Sequence, residues 1–278
     1  MKLLFPLFAV VFIVLVAGTG KAAETPAPAD PKIAIVPHRA VYTMNLSAAK
    51  NGSPVTDVTG QLAFEWADTC DGWAVQQHTQ LHFNYTQGTE ANIKTDVVSW
   101  EAKDGKRYNF NVRRTTNGKE TENYRGRAAL DDHGGSGVYA VPKDRDPVAL
   151  PAGALFPSSH TLMILQHAVE GDKLFTRRVF DGSDEVGHAD ISAFIGASST
   201  QDAAMEPTEL RGNPLLAAPE WPIRLAFYKP ESQSGTPDYE MDLTLLANGV
   251  ARTMRIDYGD FSVSGILSKL EALPPSGC

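Results

Sequence analysis

A chain of 278 residues with 42% hydrophobic side chains holds enough apolar material for one large core or two small ones, and size alone does not choose between them. Its formal charge is −8 at pH 7, so taken as a whole it repels nucleic acid and anionic membrane surfaces. An acidic balance of this kind is ordinary for a soluble protein and calls for no cationic partner.

At the N-terminus, Lys2 precedes an unbroken apolar run from Leu3 to Ala17, followed by Gly18, Gly20 and the small pair Ala22-Ala23. This is the layout of a secretory signal peptide over residues 1–22, with cleavage after Ala22 or, alternatively, Ala23. The run is shorter than the roughly 20 apolar residues of a spanning helix, so the mature chain is expected to be soluble and not membrane-spanning. The competing reading is an uncleaved anchor, since Lys21 sits beside the site. Cleavage removes Lys2 and Lys21, which takes the formal charge from −8 to −10. The compartment implied is the periplasm. Residues 23–31 contain three prolines and no large apolar side chain, the composition of a tether.

From residue 32 to 278 no second break of that kind recurs, which predicts a single domain. Period-2 alternation dominates it. In Val75–Phe83 the odd positions Val75, Leu81 and Phe83 face one way, while Gln76, His78, Gln80 and His82 face the other. Strands are likewise predicted over 38–46, 60–66, 93–102, 108–114, 120–129, 137–141, 174–180, 186–195, 221–228, 239–246, 251–256 and 261–267. Turn dipeptides such as Asn51-Gly52, Asp104-Gly105, Asn117-Gly118, Asp181-Gly182 and Asn248-Gly249 stand between many of them, so consecutive hairpins make an antiparallel meander. About a dozen strands cannot lie flat and must curl or close. Pro157-Ser158-Ser159-His160, followed by an apolar-periodic stretch to Glu170 and Gly171, predicts one short helix with a serine cap, covering the open end or inner face of the sheet. The proline-rich stretch 197–222 reads as a long surface loop.

The chain has two cysteines, Cys70 in a turn-like stretch and Cys278 at its end. In an oxidising compartment they are expected to form one structural disulfide closing a loop of about 208 residues. A catalytic thiol is the alternative, but a terminal residue is poorly held and no Cys-x-x-Cys is present. Trp73, near Cys70, reads as packing.

These features resemble the EipB family, the cell-envelope integrity proteins of Gram-negative bacteria. The resemblance rests on His38-Arg39-Ala40-Val41-Tyr42, Phe64-Glu65-Trp66, Cys70-Asp71-Gly72-Trp73, the run Leu150–Pro157 leading into Ser159-His160-Thr161, Phe180-Asp181-Gly182-Ser183, and the final cysteine. It implies a periplasmic protein with an open, spiralling antiparallel β-barrel, one helix packed against it and a Cys70–Cys278 disulfide. It assigns no reaction.

An enzymatic reading finds little to stand on. Ser158, Ser159 and His160 are adjacent on a helix start and point in different directions, and no Gly-x-Ser-x-Gly elbow occurs. His78 and His82 share a strand face but lie roughly 13 Å apart, too far for one ion. His188 and Asp190, with Asp181, Asp184 and Glu185, resemble a calcium loop only loosely and fit an Asp-Gly hairpin turn better. Glu65, Asp96 and Glu101 lie near Trp66 and Trp100, yet a Glu beside a Trp on a strand faces the other way.

The sequence therefore predicts a non-enzymatic, monomeric periplasmic protein with no cofactor, no metal and no nucleic acid. Its curved sheet offers an apolar groove to a peptide, a lipid or an envelope protein. A glycan-modifying hydrolase and a purely structural scaffold are the alternatives. Phe83, Trp100, Phe110, Tyr124, Phe227 and Tyr228 supply aromatic groups, but which of them line the groove is not legible from alternation alone.

Overall fold

The computed structural model describes residues 33–199, 207–230, 235–274 and 276–278. The signal and tether segments lie outside the described residues. Alternating side chains produce fourteen antiparallel strands in one sheet. The first eight are β1 (His38–Ala49), β2 (Val55–Asp68), β3 (Gly72–Tyr85), β4 (Glu90–Ala102), β5 (Arg107–Thr116), β6 (Lys119–Asp131), β7 (Gly134–Val141) and β8 (Val148–Pro151). Helix α1 (Pro157–Glu170) follows, then β9 (Leu174–Phe180), β10 (His188–Ile195), β11 (Glu220–Tyr228), β12 (Tyr239–Leu246), β13 (Ala251–Asp257) and β14 (Phe261–Ala272).

Each strand pairs with its neighbours in sequence, except that β1 also pairs with β14, in a register running from His38–Ala272 to Ala49–Phe261. The edges of the sheet are thus β8 and β9, which are consecutive in the chain. Leu155 forms a parallel bridge to Val179, with Leu155 N–H donating to the Arg178 carbonyl (2.9 Å) and Phe180 N–H to the Leu155 carbonyl (2.9 Å). The result is a nearly closed barrel that leaves little unpaired edge.

Three apolar clusters fill the inner face. One joins α1 (Ile164, Leu165, Ala168) to β9–β12 through Phe175, Val179, Ile191, Ile223 and Leu245, and reaches Trp66 on β2. The second packs Tyr42, Met44, Val58 and Leu267 around the β1–β14 seam. The third stacks Tyr108, Phe110, Tyr139, Phe156 and Phe180 where β5–β7 face the end of β9 and the residue before α1. Gly182 sits against this third cluster: its φ is +67° and an added Cβ would lie 2.5 Å from the Phe110 ring, so two demands select glycine there.

The segment before β11 differs from the expected surface loop. Residues 200–206 fall outside the described residues, but two 3-10 turns, Thr208–Leu210 and Pro214–Ala217, bury Leu210, Leu215 and Leu216 against the β1–β14 cluster. Their backbone is satisfied by side chains: Asn248 donates to the Leu215 carbonyl (2.7 Å) and Arg252 to the Leu216 carbonyl (2.9 Å). Leucines between prolines let an irregular segment act as core. Arg252 also meets Glu220 at 2.6 Å in a buried ion pair that spans from β13 to β11.

Cys70 and Cys278 are joined by a disulfide, their Cα atoms 5.9 Å apart. It ties the segment after β14 to the β2–β3 turn, where Cys70 has φ +69°.

Candidate functional site

Inward-facing side chains of β2–β5 form ladders whose register is fixed by strand pairing. Phe64 lies beside Gln77, then Val97, then Val112; Trp66 lies beside Val75 and then Ser99; Thr79 lies beside Thr95 and then Arg114. Along β1 and most of β5 and β11 this face is buried. Here Val75, Gln77, Thr79, Thr95, Val97 and Ser99 are only half-buried: several are small or polar, and Val75 and Val97 only border the neighbouring apolar clusters. The space left is a cavity of about 350 Å³ enclosed by these rows, by Pro157, Ser158 and Thr161 of α1, and by Asp181 and Ser183 of the β9–β10 connection. That volume lies in the range of small-molecule pockets.

The helix that forms one wall is fixed by a residue from the opposite strand. The expected serine cap is not what the structure shows: the N-cap is Phe156, which offers no side-chain acceptor, and Pro157 opens the first turn. Glu101 of β4 takes the role instead. It is 1% exposed, and its carboxylate accepts the Ser158 N–H (2.7 Å), the Ser159 N–H (2.8 Å) and the Ser159 hydroxyl. A carboxylate at a helix N-terminus satisfies orphan donors and opposes the positive end of the dipole. Burial lifts the Glu101 carboxyl above its ordinary value, and the surrounding donors pull against that without reversing it. At the other end Gly171 adopts the left-handed conformation (φ +84°) and its N–H closes the last turn.

Arg114 carries the cavity's cationic group. Its guanidinium donates to both oxygens of Glu122 (2.7 and 2.8 Å) and to Thr95, so the site is polar at this wall without a free charge. The half-buried Asp181 accepts the Ser183 N–H (2.9 Å), and burial raises its carboxyl. Aromatic rings run along the strand ends of β11, β12, β14 and β3: Phe227 stacks on Tyr239 (4.2 Å), Tyr258 on Phe261 (5.0 Å), and Phe83 contacts both Phe261 (6.2 Å) and Tyr85 (6.3 Å).

The aromatic residues named from sequence separate by face. Phe110 and Tyr124 are buried in the inner cluster, and Phe83 and Phe227 belong to the aromatic arc. Trp100 instead lies on the outer face, where its indole N–H donates to Thr69 (3.0 Å), and Tyr228 alternates outward from Phe227. Trp73 packs edge-on against Trp66 at 5.9 Å.

The catalytic and metal candidates also separate. Ser159 is bonded to Glu101, whereas the His160 ring lies against Phe175 at 5.8 Å. Glu65 is held by Arg39 (2.6 Å) and Asp96 by His78 (2.7 Å), so three carboxylates near tryptophan have three unrelated partners. His82 binds Asn92 (3.0 Å). Asp184 accepts the N–H groups of Val186 and Gly187, and Asp190 clamps Arg178 (2.8 and 2.6 Å), which is hairpin chemistry. At the end of α1, His167, Glu170 and Asp172 place ligand atoms within 4.8 Å of one another; His167 and Asp172 are hydrogen-bonded at 2.7 Å beside the negative end of the helix dipole.

His160 gives this region an acid sensitivity. It is 4% exposed, its Nε2 has no partner, and burial, helped by the nearby Arg177, pushes the imidazole down to about 4. A histidine depressed in the folded state stabilises fully above its unfolded value near 6.5 and loses that contribution as pH falls from there toward 4. The loss at pH 5 is expected to be about 2 kcal/mol. Thermal melts of His160→Phe at pH 7 and pH 5 should show a smaller difference than the parent; an equal difference would assign the acid loss elsewhere.

The sequence pattern described as EipB-like matches residues 29–274. A curated relative, the cell envelope integrity protein EipB of Brucella abortus (strain 2308), is 27% identical over 248 residues, covering 88% of this chain and 87% of the relative. The crystal structure of a beta-barrel-like protein from Brucella abortus, a domain of unknown function, superposes with a TM-score of 0.78 at 24% identity, over 87% of this chain and 100% of that one, and shows the same fold. The chain belongs to the EipB-like family.

Proposed function

We propose that this protein supports cell-envelope integrity from the periplasm, without catalysis, by receiving an apolar segment of a lipid, a peptide or an envelope protein inside its barrel. The envelope role follows the relative's name, and the disulfide fits an oxidising compartment. The observation that carries the binding reading is the cavity of about 350 Å³ walled by Phe64, Trp66, Val75, Val97 and Val112. A closed barrel with no ligand to receive would fill this space with larger side chains. Arg114, Thr161 and Asp181 around it are already paired, and of the polar groups on the wall the buried Trp66 indole N–H is left without a partner among the described residues, so recognition falls mainly to the apolar wall.

Titration with the apolar fluorophore N-phenyl-1-naphthylamine tests this. The parent should enhance its emission saturably, and Val97→Arg, which places a charge in the cavity, should abolish the enhancement while keeping the far-ultraviolet circular dichroism of the fold. Equal enhancement by the two proteins would refute the reading.

A further inference from the structure

The outer face of β4–β7 carries a different chemistry from the rest of the molecule. Alternation sends Tyr108, Phe110, Val112, Tyr124 and Ala128 into the core and leaves Arg107, Asn109, Asn111 and Arg113 of β5, with Arg125 and Arg127 of β6, facing outward. Strand register brings Trp100, Asn109, Arg127 and Val138 into one row and Val98, Asn111 and Arg125 into the next. Two shallow grooves of about 430 and 400 Å³ cross these rows.

The carboxylates beside this face are already engaged. Asp96 is held by His78 at 2.7 Å, and Glu120 by Arg113 at 2.7 Å and Asn123 at 3.1 Å. Arg107, Arg125 and Arg127 are exposed and form no ion pair among the described residues; Arg107 lies over the Trp100 ring at 5.4 Å. Elsewhere Arg39, Arg114, Arg178, Arg224, Arg252 and Arg255 each meet a carboxylate, while Arg145 lies over the Tyr139 ring at 4.1 Å and Arg177 donates to the Thr176 carbonyl (2.9 Å). An uncompensated triplet on a chain of net charge −8 is therefore a local reversal of sign. Within and beside it stand Trp100 and two exposed aliphatic residues, Val98 at 43% and Val138 at 39%.

We propose that this face docks the protein peripherally onto an anionic phospholipid surface. Arg125 and Arg127, whose backbone positions lie about 7 Å apart along β6, pair with lipid phosphates together with Arg107, while Trp100, Val98 and Val138 meet the interfacial layer. An acidic protein would need the same cations but not the row of exposed apolar side chains beside them. The proposal does not rest on the interior cavity, which opens on the opposite face of the sheet.

Flotation of the full chain with vesicles tests it, using equal phosphatidylglycerol and phosphatidylcholine against phosphatidylcholine alone at low and high ionic strength. The protein should float with the anionic vesicles at low ionic strength only. The triple variant Arg107→Gln/Arg125→Gln/Arg127→Gln should lose on the order of a hundredfold in partition coefficient, at roughly fivefold per charge. A charge-matched control, Lys50→Gln/Lys173→Gln/Lys269→Gln, should keep nearly all of it. Absence of flotation with anionic vesicles at low ionic strength, or an equal loss in the two triple variants, would overturn the proposal. Retention on a poly-glutamate resin without flotation would also overturn it, in favour of an acidic protein partner.

Discussion

Replacing Glu101 with alanine is expected to lower the stability of the protein by about 3–5 kcal/mol, which for a domain of this size is a fall of roughly 10 °C in Tm. The substitution leaves two backbone N–H groups and one hydroxyl at the start of α1 without their acceptor, in a place where Ser158 is also buried. Each such donor costs about 1–3 kcal/mol when stranded, and the favourable charge at the helix N-terminus goes as well. Glu101→Gln keeps one acceptor oxygen but turns an amide donor toward the helix, so it should lose about half as much. Because the same helix turn walls the cavity, both variants should also weaken N-phenyl-1-naphthylamine binding. Calorimetric melts that coincide for parent and Glu101→Ala would show that the helix is held by its apolar contacts alone.

Loss of the disulfide is the second large effect. The bond joins residues separated by 208 positions, and in the chain-entropy account a loop of that length confines the unfolded state by about 5 kcal/mol, with measured values often smaller. Cys70→Ser should therefore lower Tm by up to roughly 15 °C. Reductant added to the parent should do the same, and reductant added to the variant should do nothing further, since both remove one interaction. Among the described residues the C-terminal segment is held by the Leu273 N–H bond to the Pro37 carbonyl (2.9 Å), by Ser276 against Asp68 and by the disulfide, so release of Cys278 should make residues after Ala272 more open to proteolysis. A parent whose melt is indifferent to reductant would contradict this.

Most of the strand architecture was legible from local patterning. Thirteen stretches with period-2 alternation correspond to strands, and two of them, β9 and β12, have the expected ends. Strand β8 was not legible, because Val148–Pro151 is four residues long and ends in proline, too short for a period to register. The pairing of β1 with β14 was hidden for another reason: it joins residues more than two hundred positions apart, and alternation states a face without naming a neighbour. The leucines of the two 3-10 turns were read as loop because prolines and polar residues surround them.

The site was harder to see. Alternation along Tyr108, Phe110 and Val112 does extend to Arg114, so the inward turn of one arginine in the pair Arg113-Arg114 was available from the pattern, although adjacent basic residues invite a reading as one solvated patch. Likewise Gln77, Thr79, Thr95 and Ser99 are small or polar side chains at inward positions, a sign that this stretch of wall lacks bulk. Nothing local connects Glu101 to a helix that begins 56 residues later. The net charge misled in one respect: a total of −8 says nothing about how three arginines are grouped on one face of two strands.

The central claim is that the barrel interior, and not its outer wall, receives an apolar segment in the envelope. A photo-crosslinking amino acid placed at Val97 in intact cells tests it most directly, with the same residue at the outward-facing Gln80 as reference. Irradiation should convert the Val97 protein into a defined lipid or peptide adduct and leave the Gln80 protein unmodified. A Val97 protein that stays free of adduct while remaining folded and disulfide-bonded would contradict the account.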